Sequence, residues 1–255
     1  MNQEPLIRFE DLHLAFGDKP VYEGLSLNIY RGQTMAVIGG SGCGKSVLLK
    51  CLIGLMFPDR GRVFYEGIEV SQLSEKGLRE IRKDIAMVFQ GAALFDSLSV
   101  GENLAYPLRE HMPELSEKEI AMRVAQTLEL VNLPGVESMH PADLSGGMRK
   151  RVGLARAIMI TPKVILWDEP TTGLDPISTR VIDELIVSMN QHLGCTSIVV
   201  THDMNSVFRI SDSIAMLAHR KIVASGSVAE MRASTDPSVR AFFDMRGEGR
   251  NEQSI

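Results

Sequence analysis

Cysteine is scarce: Cys43, Cys51 and Cys195 are the only three in 255 residues. Their spacing makes no metal-binding pair and their odd number no closed disulfide set, so they read as reduced thiols of a cytosolic protein. A basic excess is also lacking. Against 32 Asp and Glu stand 27 Lys and Arg, a net charge of −5. That argues against nucleic acid as the main partner, because phosphate-backbone binding leaves a basic footprint. The basic run Arg149–Arg151 reads as a solvated helix face, with a local anion contact as the alternative. No apolar run approaches the ~20 residues of a membrane helix, the first residues carry no basic-then-apolar leader, and no internal repeat is visible. What remains is a soluble globular chain, 44% hydrophobic and 23% charged, long enough for one large domain or two small ones.

Periodicity orders the chain. Residues 6–16 and 25–30 alternate apolar and polar as half-buried strands do. "TMAVIGG" is a short apolar run entering glycines, and "KSVLLKCLIGLM" then spaces Leu48, Leu49, Leu52, Ile53 and Met56 as a helix does. "GRVFYEGIEV" predicts strands paired across "YEG", and "DIAMVFQ" one more strand. From about Val100 to Ile160 the character changes, and "SEKEIAMRVAQTLELVNL" is an amphipathic helix in which Ser116 and Glu119 form a capping box. "KVILWDE" and "TSIVVTHD" are apolar strands separated by a helix, "IAMLAHRKIVASGS" a hairpin and "SVRAFFDM" a last short helix. Strands alternating with helices imply an α/β fold with a mostly parallel sheet covered on both faces.

Chemistry concentrates at strand ends. "GGSGCGKS" places Gly39, Gly40, Ser41, Gly42, Cys43, Gly44, Lys45 and Ser46, followed by Val47, between a strand and a helix. Glycines let successive N–H groups turn inward around a phosphate at the helix N-terminus. In such a loop the lysine reaches β and γ oxygens and the serine hydroxyl binds Mg²⁺. "KVILWDEP" ends an apolar strand in Asp168 and Glu169. Beside a phosphate loop, Asp168 is the candidate water-mediated Mg²⁺ contact and Glu169 the candidate general base; standing alone, the pair is two solvated acids at a strand end. His202 is either a hydrogen-bonded core histidine or a contact to the γ-phosphate and its attacking water. Gln90 raises the same choice, its functional reading being a ligand of metal-bound water.

The order of phosphate loop, Gln90, "LSGGM", "ILWDEP", "GLDP" and "VVTHD" resembles the ATP-binding subunit of ABC transporters over essentially the whole chain. The resemblance implies a single domain over 1–240, with a core at about 1–97 and 161–235, an N-terminal antiparallel β part and a helical subdomain at about 98–160, then a short polar tail, 241–255. It implies two copies head to tail, each ATP with its Mg²⁺ held between the phosphate loop of one and the signature Ser145, Gly146, Gly147 and Met148 of the other. Phe16 falls where the family stacks an aromatic on adenine, with a core role as the competing reading. Asp175 falls in the loop joining the two nucleotide sites. Most relatives carry Gln at position 148; methionine loses the amide but leaves the serine and glycines in place.

"LSGGM", with "AALF" and "NLAYPLREH", narrows the resemblance to the Mla/Mce-type phospholipid transporter ATPases. That subgroup implies an integral permease, a membrane-anchored Mce-type lipid-binding protein, a small soluble regulatory subunit, and a peripheral place on the cytoplasmic side of the bacterial inner membrane. Residues 92–98 then offer either a groove lining for a permease helix or core of the helical part. The alternatives in view are an importer of amino acids or other polar solutes and a soluble ABC ATPase outside transport. Absence of a long coiled coil, of a second cassette and of basic excess weighs against the last.

Overall fold

A computed structural model describes residues 4–245, so the polar tail beyond 245 lies outside the described residues. The chain opens with β1 (Ile7–Phe16), β2 (Lys19–Ile29) and β3 (Thr34–Gly39), then α1 (Lys45–Leu52), β4 (Arg60–Tyr65), β5 (Ile68–Glu69), α2 (Glu75–Asp84) and β6 (Ile85–Val88). Helices α3 (Val100–His111), α4 (Glu117–Leu130) and α5 (Gly146–Ile158) follow, then β7 (Val164–Asp168), α6 (Pro176–Leu193) and β8 (Thr196–Val200). The described chain closes with α7 (Met204–Ile210), β9 (Ser213–Ala218), β10 (Lys221–Ser227), α8 (Val228–Arg232) and α9 (Pro237–Met245). The fold is α/β with two sheets. It divides into two compact units, one of residues up to Leu78 with those from Ile198 onward, the other Arg79–Ser197.

In the first unit β2, β1, β4 and β5 pair antiparallel. The alternation of β1 slips at Asp11, where φ is 46°: Ile7 and Phe9 face the core before the slip, Leu12 and Leu14 after it. A bulge of this kind keeps two odd and two even positions on one face. Strand β3, buried along its length, runs parallel to β9, Met35 opposite Ser213 and Gly39 opposite Leu217. The β9–β10 hairpin turns at His219 and Arg220, both at positive φ. Beneath lies an apolar cluster of Ala36, Ile38, Val207, Met216, Val239 and Phe242. Helix α1 stops at Leu52, short of the Met56 its periodicity suggests. Gly54 at φ 64° closes it, the amides of Leu55 and Gly54 bonding back to the carbonyls of Lys50 (2.9 Å) and Cys51 (3.3 Å).

In the second unit β6 and β7 pair parallel, Ile85 opposite Val164 and Val88 opposite Trp167. Helices α3, α4 and α5 pack on one another, and Ser116 and Glu119 form the expected capping box at the start of α4. Helix α2 carries too weak an apolar period to be expected from its composition, "EKGLREIRKD", which is almost wholly polar. Among the described residues no helix is long and apolar enough to cross a membrane.

Candidate functional site

The phosphate loop leaves β3 at Gly39 and enters α1 at Lys45. Its curl depends on Gly39, Gly42 and Gly44, at φ 155°, 74° and 104°. Only glycine also fits the space at two of them: a Cβ on Gly39 would stand 2.3 Å from the Leu217 carbonyl oxygen, and one on Gly44 2.6 Å from Val21 Cγ1. Above Gly40 and Gly42 the space is open, as a cradle for a phosphate requires. Lys45, buried at 7% exposure, donates from Nζ to the carbonyls of Gly39 (3.1 Å) and Gly40 (3.0 Å), which leaves one of its three N–H bonds for an anion. Ser46 and Val47 form the first turn of α1, half-buried. Burial raises the Cys43 thiol above its ordinary value against the pull of Lys45.

One residue holding this loop was not anticipated. Tyr22 on β2 is 1% exposed, and its hydroxyl donates to the Gly44 carbonyl at 2.6 Å. That carbonyl also accepts the amides of Val47 (2.9 Å) and Leu48 (3.1 Å). The only signal in the sequence was an aromatic beside a single β-branched residue, Val21. Phe16 ends β1 with 51% of its surface exposed, which removes the alternative of a core phenylalanine. His202 is half-buried between β8 and α7, whose first turn Asp203 caps by accepting from Asn205 (3.0 Å) and Ser206 (3.3 Å).

The second unit carries the other candidates. Gln90 is exposed just after β6, and Asp168 ends β7 half-buried. Glu169 follows at φ 51°, and its Oε2 accepts from the Thr172 hydroxyl at 2.9 Å. The signature is a capped helix start: Ser145 is the N-cap of α5, its Oγ accepting from the Met148 amide at 3.2 Å. Ser145 and Gly146 are exposed, Gly147 and Met148 half-buried. Asp175 caps α6 in the same way, accepting from Ile177 and Ser178, both at 3.0 Å, and these bonds hold its carboxyl below the usual range. The two helix starts touch, since a Cβ on Gly147 would meet Ser178 Oγ at 3.3 Å.

The run Arg149–Arg151 is not a solvated face. Arg149 donates to the Leu144 carbonyl, and Arg151 to those of Val131 and Asn132. Lys150 Nζ donates to the carbonyls of Pro170 (2.9 Å) and Thr172 (2.6 Å). Burial pulls Lys150 below its ordinary value while the charge of Glu169 pushes it up. So α5 holds the Glu169 turn through Lys150, a side chain that the sequence alone places on a solvated face. Among residues 92–98, Ala92 is buried, Leu94 and Leu98 are half-buried, and Ala93 and Phe95 are exposed, so the core reading holds for Ala92 and fails for Ala93 and Phe95.

No group of three or more His, Cys, Asp or Glu among the described residues could hold a metal ion. Mg²⁺ does not require one, since it takes one or two protein oxygens with water and phosphate. Hydroxyl Ser46, amide Gln90 and carboxylate Asp168 fit that donor set.

The fold and loop define a nucleotide-binding α/β protein of the P-loop class. The family described as ABC transporter matches residues 22–172. MlaF, the intermembrane phospholipid transport system ATP-binding protein of Haemophilus influenzae, is 41% identical over 249 residues, covering 98% of this chain and 94% of that protein. The Escherichia coli K12 protein of the same name is 40% identical over 244 residues, covering 96% and 90%. The probable ribonucleotide transport ATP-binding protein mkl of Mycobacterium tuberculosis H37Rv is 40% identical over 243 residues, with 95% and 67% covered. Of solved structures, the dimeric post-hydrolysis state of the ATP-binding cassette MJ0796 with ADP and Pi matches with TM-score 0.80 and 30% identity, over 87% of this chain and 98% of that one. CbiO1 of Clostridium perfringens, part of the transporter complex cbiONQ, matches with TM-score 0.82 and 31% identity over 96% of each. The chain belongs to the ABC transporter family and is an ATP-binding cassette ATPase.

Proposed function

We propose that this chain is the ATP-hydrolysing subunit of an ABC transporter that moves phospholipid between membranes, working through an integral permease on the cytoplasmic side of a bacterial inner membrane. The observation that carries the reading is identity of 40–41% over almost the full length of two proteins named for intermembrane phospholipid transport. "LSGGM" in place of the usual glutamine signature points the same way. The permease is joined in this reading by a membrane-anchored Mce-type lipid-binding protein and a small soluble regulatory subunit.

Each residue then has a task. The amides of Gly40–Ser46 and the Lys45 ammonium bind the β- and γ-phosphates, and Phe16 stacks on adenine. Ser46, Gln90 and Asp168 hold Mg²⁺, directly or through water; when bound, the ion neutralises charge on the phosphate oxygens. Glu169 takes the proton of the attacking water, and His202 orients that water against the γ-phosphate. In a head-to-tail pair, Ser145, Gly146 and Gly147 offer a hydroxyl, free amides and a positive helix end to the nucleotide of the other copy. Met148 contributes its amide to the Ser145 cap and packs its thioether nearby. Asp175 relays between the two sites. Positioning and charge neutralisation supply most of the rate, and hydrolysis reopens the pair.

The test is affinity purification of the tagged chain from gently detergent-extracted native membranes, with identification of the proteins and lipids that accompany it. A polytopic permease with a single-span lipid-binding protein and phospholipid is the expected outcome. A permease with a solute-binding protein and no lipid supports a polar-solute importer instead, the reading nearer to the ribonucleotide transport named for the mycobacterial relative. Recovery of soluble proteins or nucleic acid alone overturns the transporter reading.

A further inference from the structure

We propose that Arg156 is a positioning residue that clasps the loop after Gln90 to the helix bearing the signature, so that movement of the signature is passed to the exposed aromatic tip of that loop. The inference rests on the transporter reading for the use made of the tip.

The loop is held in a shape it would not adopt by itself. Ala92 and Ala93, at φ 61° and 50°, are two successive residues in the left-handed region, which alanine disfavours because of its Cβ. Arg156, near the end of α5, reaches over both. Its Nη1 donates to the Ala93 carbonyl at 2.8 Å and its Nη2 to the Ala92 carbonyl at 3.4 Å, while its guanidinium carbon lies 5.6 Å from the centre of the Phe95 ring. Gly153, one turn earlier, lets the helix approach: a Cβ there would stand 3.0 Å from Ala92 Cβ and 3.1 Å from its carbonyl oxygen.

The far end of the loop is tied to α3. Fully buried Asn103 accepts the Phe95 amide at 2.8 Å and donates to the carbonyls of Phe95 (3.1 Å), Leu98 (3.1 Å) and Ser99 (3.0 Å). Between the two ties stands a tilted aromatic pair, Phe95 and Tyr106, with ring centres 5.1 Å apart and both rings over 40% exposed.

The same helix α5 begins at the Ser145 cap. Arg156 sits three turns on, roughly 16 Å at the rise of an α-helix, a distance over which a packed helix moves as one body. A shift of Ser145–Gly147 on meeting a phosphate therefore carries Arg156, the Ala92–Ala93 carbonyls and the Phe95–Tyr106 pair with it.

Two readouts test this, amide exchange in the isolated chain and ATP turnover of the purified permease complex. Arg156→Met is expected to speed exchange of the Ala92 and Phe95 amides by about tenfold. It should also cut the permease-dependent stimulation of turnover by about tenfold, with a much smaller change in the isolated chain. Adding Ala92→Gly and Ala93→Gly, which accept the left-handed region freely, eases the shape of the loop but supplies no tie to α5, so the stimulation should stay low. Gly153→Ala leaves Arg156 in place and presses a methyl against the Cβ, Cα and carbonyl oxygen of Ala92, displacing the loop from α5; it should uncouple without unfolding. Unchanged exchange and stimulation in Arg156→Met overturns the clasp, as does stimulation recovered by the two glycines, or an equal loss of turnover in the isolated chain, the mark of general destabilisation. If the wild-type chain brings down no permease, the transport reading fails, and exchange alone still decides whether Arg156 holds the loop.

Discussion

Tyr22→Phe isolates the contribution of one buried hydroxyl to the phosphate loop. The ring stays in place, so no cavity opens and no apolar area is lost. The Gly44 carbonyl loses the 2.6 Å bond from Tyr22 yet keeps the helical amides of Val47 and Leu48. No buried acceptor is left bare, so the cost is the net contribution of one hydrogen bond, about 1 kcal/mol, and not the ~1–3 kcal/mol of an orphaned group. For a chain of this size that is roughly 2–4 °C in Tm. If all of it appears in the loop's readiness for phosphate, ATP affinity falls by about fivefold. Urea unfolding and equilibrium ATP binding measure the two.

Burial lifts the Tyr22 phenol above its ordinary 10.0, with the Cys51 and Cys43 thiols pushing the same way. The folded chain therefore keeps a proton that the unfolded chain releases above pH ~10. This contribution is whole below that pH and drains above it, by up to about 1.4 kcal/mol per pH unit. Burial also raises Cys51, to about 12, so it contributes with the same sign, but in wild type and variant alike. Stability of the wild type should thus fall more steeply than that of Tyr22→Phe above pH ~10. Identical stability, ATP affinity and alkaline slope in the two proteins would show that the helix alone fixes Gly44. A loss above ~3 kcal/mol would mean that more than this bond had been removed.

Glu169→Gln should lower hydrolysis by about 10²–10⁴ and accumulate an ATP-bound dimer on gel filtration, because the amide oxygen can still accept from Thr172; rapid turnover would end its assignment as the base. Cys43 is raised by burial, so its alkylation should be slow at neutral pH, quicken by about tenfold per pH unit toward its pKa, and be blocked by ATP. Equal labelling with and without nucleotide would put the phosphate elsewhere. Met148→Gln should complete a capping box with Ser145 and raise stability by about 0.5 kcal/mol while at least part of the hydrolysis remains; complete loss of activity would mean that the thioether is structurally required.

Features whose cause lies within a few residues were legible in the sequence. The phosphate loop, the Ser116–Glu119 box and the hairpin beyond Ser213 follow from glycine conformations, hydroxyl caps and period-2 patterning. Helix α2 was hidden by its charge and α7 by its seven-residue length. The ties that position the site were not legible. Lys150 reaches carbonyls 20 and 22 positions away, and Arg156 carbonyls 63 and 64 away. A backbone carbonyl is present at every residue, so no pairing of residue types marks such partners in advance.

The same reasoning explains how a signature can tolerate methionine. What Met148 supplies to the helix start is its amide, bonded to Ser145 Oγ, and any residue but proline has one. Ser145 and the glycines likewise present a hydroxyl and backbone N–H groups, which owe nothing to the side chain at 148. Asp175 and Asp203 cap their helices through backbone amides too, and Tyr22 and Lys45 hold the phosphate loop through backbone carbonyls. A site built so largely on main-chain atoms is constrained chiefly where a side chain would intrude, at Gly39, Gly44 and Gly153. Substitutions there move the backbone itself, whereas the change at 148 alters only what lies beside it.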